Sequence, residues 1–169
     1  MLTIINDLEP FFLDNYQPIH VRSYARKTHI SPPSASKKLK HFAREKLLNQ
    51  SKEKGYLEFT ANHDNSTFIK LSHIYWSEKL KPVITTLEKE LISPTILIFG
   101  SFSKAEIKET SDIDLAVFTP STKKITLEEH EKTLKRHIQL LRYKTLEEIK
   151  SKELRNNILN GFLLTGAWQ

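Results

Sequence analysis

Two carboxylates stand two residues apart in the segment TILIFGSFSKAEIKETSDIDLAVFTP, which runs from Thr95 to Pro120. Asp112 and Asp114 interrupt an otherwise apolar run, and on an extended strand they would point to the same side about 7 Å apart. Like charges at this spacing repel each other and are costly to bury unless a cation lies between them. Because carboxylate oxygens suit hard divalent ions, the pair predicts a metal site for Mg²⁺ or Mn²⁺.

A Gly-Ser pair at the end of the preceding apolar run supplies the second half of a phosphate site. Gly100 lets the backbone approach a phosphate closely, and the Ser101 hydroxyl can donate a hydrogen bond to it. A helix beginning at Phe102 would direct its free N–H groups at the same anion. The alternative, a bare Asp-x-Asp that meets solvent or caps a helix, is disfavoured by Gly-Ser at this distance. The segment therefore predicts a pocket for a metal-bound triphosphate.

The sequence GS, followed ten residues later by SDIDLAV, resembles the signature of the polymerase-beta-type nucleotidyltransferase superfamily, in particular its minimal nucleotidyltransferases. The resemblance implies that Gly100 and Ser101 bind the phosphates of an NTP, with ATP as the first candidate. It also implies that Asp112 and Asp114 bind the metals and serve catalysis. The match is strong over residues 95–118.

The sequence departs from the family pattern at a few positions. Lys104 stands where members commonly have Arg, and we expect it to steady the phosphate charge; Ala105 stands where they have Gly. Active members generally supply a third carboxylate from a later strand as the base for the attacking hydroxyl. The best candidate for that strand is IQLLRY, in which the matching residue is Gln139, and an amide cannot accept the proton. The acids that precede this strand have the spacing of a solvated helix face: Glu128, Glu129 and Glu131.

The chain also carries a basic block near its N-terminus. The window from Arg22 to Lys54 contains ten Lys and Arg against two acids, a net charge of +8, whereas the whole chain has +6. A basic block beside a nearly neutral remainder predicts a module that binds a polyanion.

The order of predicted elements in this part resembles a winged helix-turn-helix over roughly the first 65 residues. Apolar spacing predicts helices over 2–13 and 20–29, and Ser31 with Pro32 begins a third over 31–45, the recognition helix. Lys54-Gly55 predicts a hairpin, the wing. Double-stranded DNA is the expected partner, contacted by Ser34, Ser36, Lys37, Lys38, Lys40, His41, Arg44, Lys52 and Lys54. The alternative is a solvated lysine face on a domain that contacts proteins.

The sequence therefore predicts an α+β chain with a winged helix-turn-helix over residues 1–65, a connecting helix over 66–81 and a small nucleotidyltransferase-like mixed α/β domain over 82–169. Pro82 is expected to end the connecting helix near Lys81 and to begin another helix that reaches Leu91. The segment GFLLTG, from Gly161 onwards, is predicted to form a short closing strand.

The composition indicates the class of protein and the cellular compartment in which it is expected. The chain is 38% hydrophobic and 27% charged, which is typical of a globular protein, and it lacks cysteine, so a thiolate metal site is excluded. It contains no apolar run long enough to cross a membrane and no signal peptide, so a cytoplasmic protein without a membrane partner is expected. A homodimer is the starting hypothesis, since such regulators often read two half-sites.

Three functions remain open at this stage. In the first, a DNA-binding protein binds NTP with Mg²⁺ and transfers a nucleotidyl group to a hydroxyl of another protein, as the resemblance to antitoxin-type members implies. In the second, a transcriptional regulator carries a catalytically degenerate transferase domain that senses nucleotide or mediates dimerisation. Transfer to an RNA end is a third, which the absence of an aromatic stacking platform in the basic module disfavours.

Overall fold

The computed structural model describes residues 2–167, which form helices and strands in two compact units. The elements are α1 (Thr3–Leu13), β1 (Ile19–His20), α2 (Val21–Thr28), α3 (Pro32–Arg44), β2 (Leu48–Glu53), β3 (Tyr56–Ala61), α4 (Ser66–Glu90), β4 (Thr95–Phe99), α5 (Ser101–Lys104), β5 (Ile113–Phe118), α6 (Glu128–Leu134), β6 (Ile138–Tyr143), a 3₁₀ turn (Leu146–Glu148), α7 (Lys152–Leu159) and β7 (Phe162–Thr165).

The first unit comprises the chain up to Tyr75 together with Ala105–Glu109. Its three-stranded antiparallel sheet has the order β1-β3-β2, and α1, α2 and α3 contribute buried side chains such as Leu8, Tyr24 and Leu39. The three predicted helices and the hairpin are present. Strand β1 was not predicted, because two residues carry no periodic signal and its pairing with β3 spans about 40 positions of sequence.

A two-residue loop closes the predicted hairpin. Glu53 pairs with Tyr56, and the residues between them, Lys54 and Gly55, have φ values of 47° and 87°. Positive φ at both loop positions belongs to the turn whose twist matches that of the two strands. The Lys54-Gly55 signal therefore has its expected structural consequence.

Helix α4 is one continuous helix of 25 residues, so the prediction that Pro82 separates two helices is wrong. Proline removes one N–H donor and crowds the preceding turn, yet the apolar face continues through it, with Leu80, Val83 and Leu87 all buried. Burial of this face compensates for the one lost hydrogen bond. Neither α4 nor any other helix within residues 2–167 is long and apolar enough to cross a membrane.

The second unit, Trp76–Lys104 with the chain from Thr110 onwards, is built on a four-stranded sheet of order β6-β5-β4-β7. Strand β4 runs antiparallel to β5 and β7, whereas β5 and β6 are parallel. All of β4 is buried, as the run TILIF predicts for a central strand. The strands predicted from TILIF, IQLLRY and GFLLTG are confirmed.

Candidate functional site

The sheet register places three of the singled-out residues side by side. Phe99, the last residue of β4, pairs with Asp114 of β5, and Asp114 pairs in turn with Gln139 of β6. Gly100 follows Phe99 directly, so Gly100 and Gln139 lie on the two sides of Asp114. The interpretation of β6 as the strand that brings Gln139 beside the aspartates agrees with this register.

Gly100 is required at its position for two independent reasons. Its φ of +68° lies in the left-handed region that side chains disfavour, and an added Cβ would lie only 2.4 Å from Oδ2 of Asp114. The Gly100 carbonyl accepts a hydrogen bond from the Ser103 hydroxyl, 2.9 Å away, which holds the turn. Glycine therefore allows the backbone to lie directly against the Asp114 carboxylate.

The two aspartates differ in environment. Strand β5 begins at Ile113, so Asp112 precedes the strand and is exposed, whereas Asp114 lies within it and is partly buried. The expectation that both lie on one strand is corrected accordingly, since pairing with β6 begins only at Ile113. Burial, and secondly the negative charge of Asp112, raise the pKa of Asp114 above its usual value. The two carboxylates therefore interact electrostatically, although Asp112 is exposed and Asp114 is partly buried.

This donor set fits a divalent cation. Asp112 and Asp114 offer hard carboxylate oxygens, and a cation between them would relieve the repulsion that raises the pKa of Asp114. Within residues 2–167, no group of three or more His, Cys, Asp or Glu side chains could hold a metal ion. The site thus has two acidic ligands and an amide, Gln139, where a third acid would complete it.

Arg136, which the sequence did not single out, connects both halves of the site. Its guanidinium lies 5.4 Å from the ring centre of Trp76 and 5.5 Å from that of Phe102, distances suited to cation–π attraction. Nη1 donates a 2.8 Å hydrogen bond to the carbonyl of Ser111, the residue before Asp112. Since Phe102 follows Ser101, one buried cation holds both the Gly-Ser turn and the loop that carries Asp112.

Glu131 and His137 form a second cluster at the start of β6. Oε1 of Glu131 lies 2.6 Å from Nδ1 of His137 and accepts a 2.7 Å hydrogen bond from the N–H of Ile138. The bond from Ile138, and to a smaller extent that from His137, lowers the pKa of Glu131 despite some desolvation. Glu131 is therefore more than part of a solvated helix face. Only the three-dimensional structure shows the pairing of Glu131 with His137, because in the sequence a His six residues after a Glu is not a recognisable pattern.

The remaining predicted phosphate ligands lie on α5. Ser101 begins this helix, one residue earlier than expected, and is partly exposed, whereas Lys104 ends it and is exposed. Ala105, which stands where relatives are expected to have Gly, has a left-handed φ of 53° and is fully buried. A left-handed backbone explains why glycine would suit this position.

The basic face of the first unit lies on α3. Ser31 caps the helix by accepting the Ser34 N–H at 3.4 Å, and Ala35, Leu39 and Phe42 are buried on its inner side. The exposed side consists of Ser34, Lys37, Lys40, His41 and Arg44, whereas Ser36 is half-buried. A depression between α3 and β2 is lined by Lys37, Lys40, Ala43, Arg44 and Gln50. Lys52 and Lys54 are exposed on the hairpin.

Lys38 differs from the other basic residues of α3. Its ammonium lies 2.6 Å from Oδ1 of Asp7 on α1, with only 30% of the Lys38 side chain and 18% of the Asp7 side chain exposed. The cation is thus already paired inside the unit. We infer that Lys38 links α3 to α1, whereas Lys37 faces outward.

Comparison with known families gives one result. Residues 78–165 match the family model described as "Polymerase beta, Nucleotidyltransferase", which is 88 of the 169 residues and contains the carboxylate site. No curated protein matches the chain.

Proposed function

The chain belongs to the polymerase-beta nucleotidyltransferase family, and we propose that it binds an NTP with Mg²⁺ at the carboxylate site and transfers a nucleotidyl group to a hydroxyl of a protein supplied in trans. In this proposal Asp112 and Asp114 hold the metal, Gly100 and Ser101 receive the phosphates, and Lys104 balances charge. ATP is the first nucleotide to test.

The observation that carries the proposal is the packing of Gly100 against Asp114. Gly100 has a φ of +68° and no room for a Cβ, so its backbone turn lies directly against the carboxylate of Asp114, whose pKa is raised. A domain without a ligand gains nothing from this arrangement, because burial next to Asp112 destabilises the ionised form of Asp114. A cation bound by both carboxylates offsets that cost and attracts a polyphosphate to the turn beside it.

Each residue of the site would have its own role in such a reaction. A bound divalent ion supplies charge neutralisation at the phosphates. Asp112 and Asp114 would bind and position this ion, and the Ser101 hydroxyl can donate to a phosphate oxygen. Arg136 bonds the carbonyl of Ser111 and packs on Phe102, so it holds the two halves of the site together. Positioning and electrostatics of this kind account for most of phosphoryl-group catalysis.

The proposal for the first unit is a winged helix-turn-helix that binds double-stranded DNA. Support comes from the order of α1, β1, α2, α3 and the β2–β3 hairpin, and from the exposed cations of α3 beside that hairpin. Phosphate contacts are assigned to Lys37, Lys40, Arg44, Lys52 and Lys54, and contacts to base edges to Ser34, Ser36 and His41. Lys38 is kept out of this set because of its bond to Asp7.

Transfer is tested with the full chain, NTPs labelled at the α-phosphate, and Mg²⁺ or Mn²⁺. Proteins encoded by the neighbouring genes, and the chain itself, are supplied as acceptors. Asp112→Asn is expected to abolish label transfer, because the metal loses an acidic ligand, while Glu128→Gln, which removes an exposed acid of α6, should leave it unchanged. Equal labelling by wild type and Asp112→Asn would refute the proposed site.

A second candidate is a transcriptional regulator whose transferase domain senses nucleotide or mediates dimerisation without reaction. Gln139 lies beside Asp114, and within residues 2–167 no third acid is grouped with Asp112 and Asp114 to hold a metal, which favours this alternative. It predicts saturable binding of NTP with Mn²⁺ and no label on any acceptor. The transfer experiment therefore separates the two candidates.

A further inference from the structure

The proposed transfer needs a base for the acceptor hydroxyl, and the residue aligned with Asp114 cannot act as one. Gln139 carries an amide, which neither ionises nor takes up a proton at neutral pH. A base must therefore come from another group at the same end of the sheet. His137, two residues before Gln139, is the candidate that the structure offers.

The backbone places His137 next to the first aspartate. Strands β5 and β6 begin their parallel pairing at Ile113 and Ile138, and the N–H of Ile113 donates a 2.8 Å hydrogen bond to the carbonyl of His137. Asp112 and His137 are the residues that immediately precede this first pair. The His137 side chain is 66% exposed, so an acceptor can reach it from solvent.

The imidazole is held by a carboxylate on one of its two nitrogens. Glu131 lies 2.6 Å from Nδ1 and is itself fixed by the N–H of Ile138. Because a carboxylate only accepts, Nδ1 of the neutral ring carries the hydrogen, and Nε2 is left as a hydrogen-bond acceptor. No partner of Nε2 is present among residues 2–167. Such a carboxylate–imidazole pair is the general arrangement of an oriented base.

We propose that His137 is the general base of the nucleotidyl transfer and that Glu131 is its positioning residue, an inference that rests on the proposed function. As Nε2 takes the proton of the acceptor hydroxyl, the oxygen forms a bond to the α-phosphorus of the NTP. The bond from this phosphorus to the oxygen bridging the β-phosphate breaks, and pyrophosphate leaves with that electron pair. The imidazolium then returns the proton to water.

The test compares full-length wild type with His137→Gln and Glu131→Gln in two assays. Initial rates of label transfer are measured at neutral pH, and binding of ATP with Mn²⁺ is measured separately by calorimetry. His130→Gln is the matched control, because this histidine is the neighbour of Glu131 on α6 but bonds Thr86 through Nε2. The His137 side chain is 66% exposed, and Glu131→Gln keeps an oxygen that can accept from the N–H of Ile138, so folding is expected to persist in both variants.

We expect His137→Gln to lower the transfer rate about 10²-fold or more while ATP binding stays within about 2-fold of wild type. Glu131→Gln should cause a smaller loss of rate and leave ATP binding within the same limit, because the amide oxygen can still accept a hydrogen bond from Nδ1. His130→Gln should match wild type in both assays.

Three results would overturn the inference. Transfer by His137→Gln at the wild-type rate shows that the ring is not the base. A wild-type transfer rate in Glu131→Gln, or a loss of ATP binding as large as its loss of rate, shows that the carboxylate does not act through the imidazole. A wild-type protein that binds ATP with Mn²⁺ but transfers no label refutes the proposed transfer, and the base with it, and supports the sensor, whereas transfer that persists in His137→Gln refutes the base alone.

Discussion

The contact between Gly100 and Asp114 shows how two residues can define a site. The glycine has no side chain to separate its backbone from the carboxylate, and Asp112 adds a second negative charge nearby. Each feature alone is common in proteins. Their combination leaves a destabilised carboxylate beside a bare turn, which is the environment that a metal-bound phosphate would complete.

The raised pKa of Asp114 gives a pH dependence with a defined sign. Its pKa is higher in the folded than in the unfolded protein, so its contribution to stability is present below the unfolded value of 3.8 and is lost as pH rises through the folded pKa. In metal-free protein, Asp114→Asn is therefore expected to melt at the same or a higher temperature than wild type at neutral pH, with this advantage vanishing in acid.

Melting curves with and without Mn²⁺ check this expectation. At neutral pH, Mn²⁺ should raise the melting temperature of wild type, and it should raise that of Asp114→Asn by less or not at all. Asp64→Asn, at an exposed carboxylate outside the site, is the control and should respond like wild type. A variant that melts below wild type at neutral pH without metal would contradict the assigned repulsion.

At the scale of elements, α4 shows how tertiary burial overrides a local signal. Pro82 lies inside the helix and is exposed, while the residues around it bury an apolar face. A proline in a helix interior costs up to about 3 kcal/mol relative to alanine. The helix persists because the buried contacts of Leu80 and Val83 outweigh this local cost.

Replacing this proline tests the same balance. Pro82→Ala restores one backbone donor and removes the clash with the preceding turn, so the free energy of unfolding should rise by about 1–3 kcal/mol. Denaturant unfolding followed by circular dichroism measures it. Thr85→Ala, an exposed change in the same helix, should give a gain of a few tenths of a kcal/mol at most, since it alters only helix propensity. Equal effects of both variants would argue against a specific cost at Pro82.

For the molecule as a whole, the distribution of charge matters more than its sum. The chain has a net charge of +6, but its cations are concentrated between Arg22 and Lys54. Several of them, including Lys37, Lys40 and Arg44, line one open depression and make no ion pair with any described residue. Such a surface attracts a polyanion over a long range, and salt weakens that attraction.

Salt dependence of DNA binding tests this view with a matched pair of lysines. The logarithm of the association constant of the full chain for a DNA duplex should fall linearly with the logarithm of salt concentration, and Lys37→Ala should reduce the magnitude of that slope by about 1. Lys38→Ala should leave the slope unchanged and lower the melting temperature instead, because Asp7 loses its partner in a partly buried position. Binding that does not respond to salt, or identical behaviour of the two variants, would refute the assignment.

The sequence alone determined those features whose signal is local. TILIF and IQLLRY form strands because their apolar runs are bounded by turn residues, and Ser31-Pro32 begins α3 because both residues suit a helix start. Gly100, Asp112 and Asp114 could be singled out because their types and spacing are themselves unusual within an apolar run.

Only the tertiary structure decided what depends on distant residues. It showed that Pro82 lies within a helix, that Asp112 precedes its strand, and that Lys38 is paired with Asp7. It also brought His137 and Glu131 to the start of β6, next to the strand that follows Asp112. The physical reason is the same in each case: burial, strand pairing and ion pairing join positions that are far apart in the chain, and no local pattern records which partner a side chain will meet.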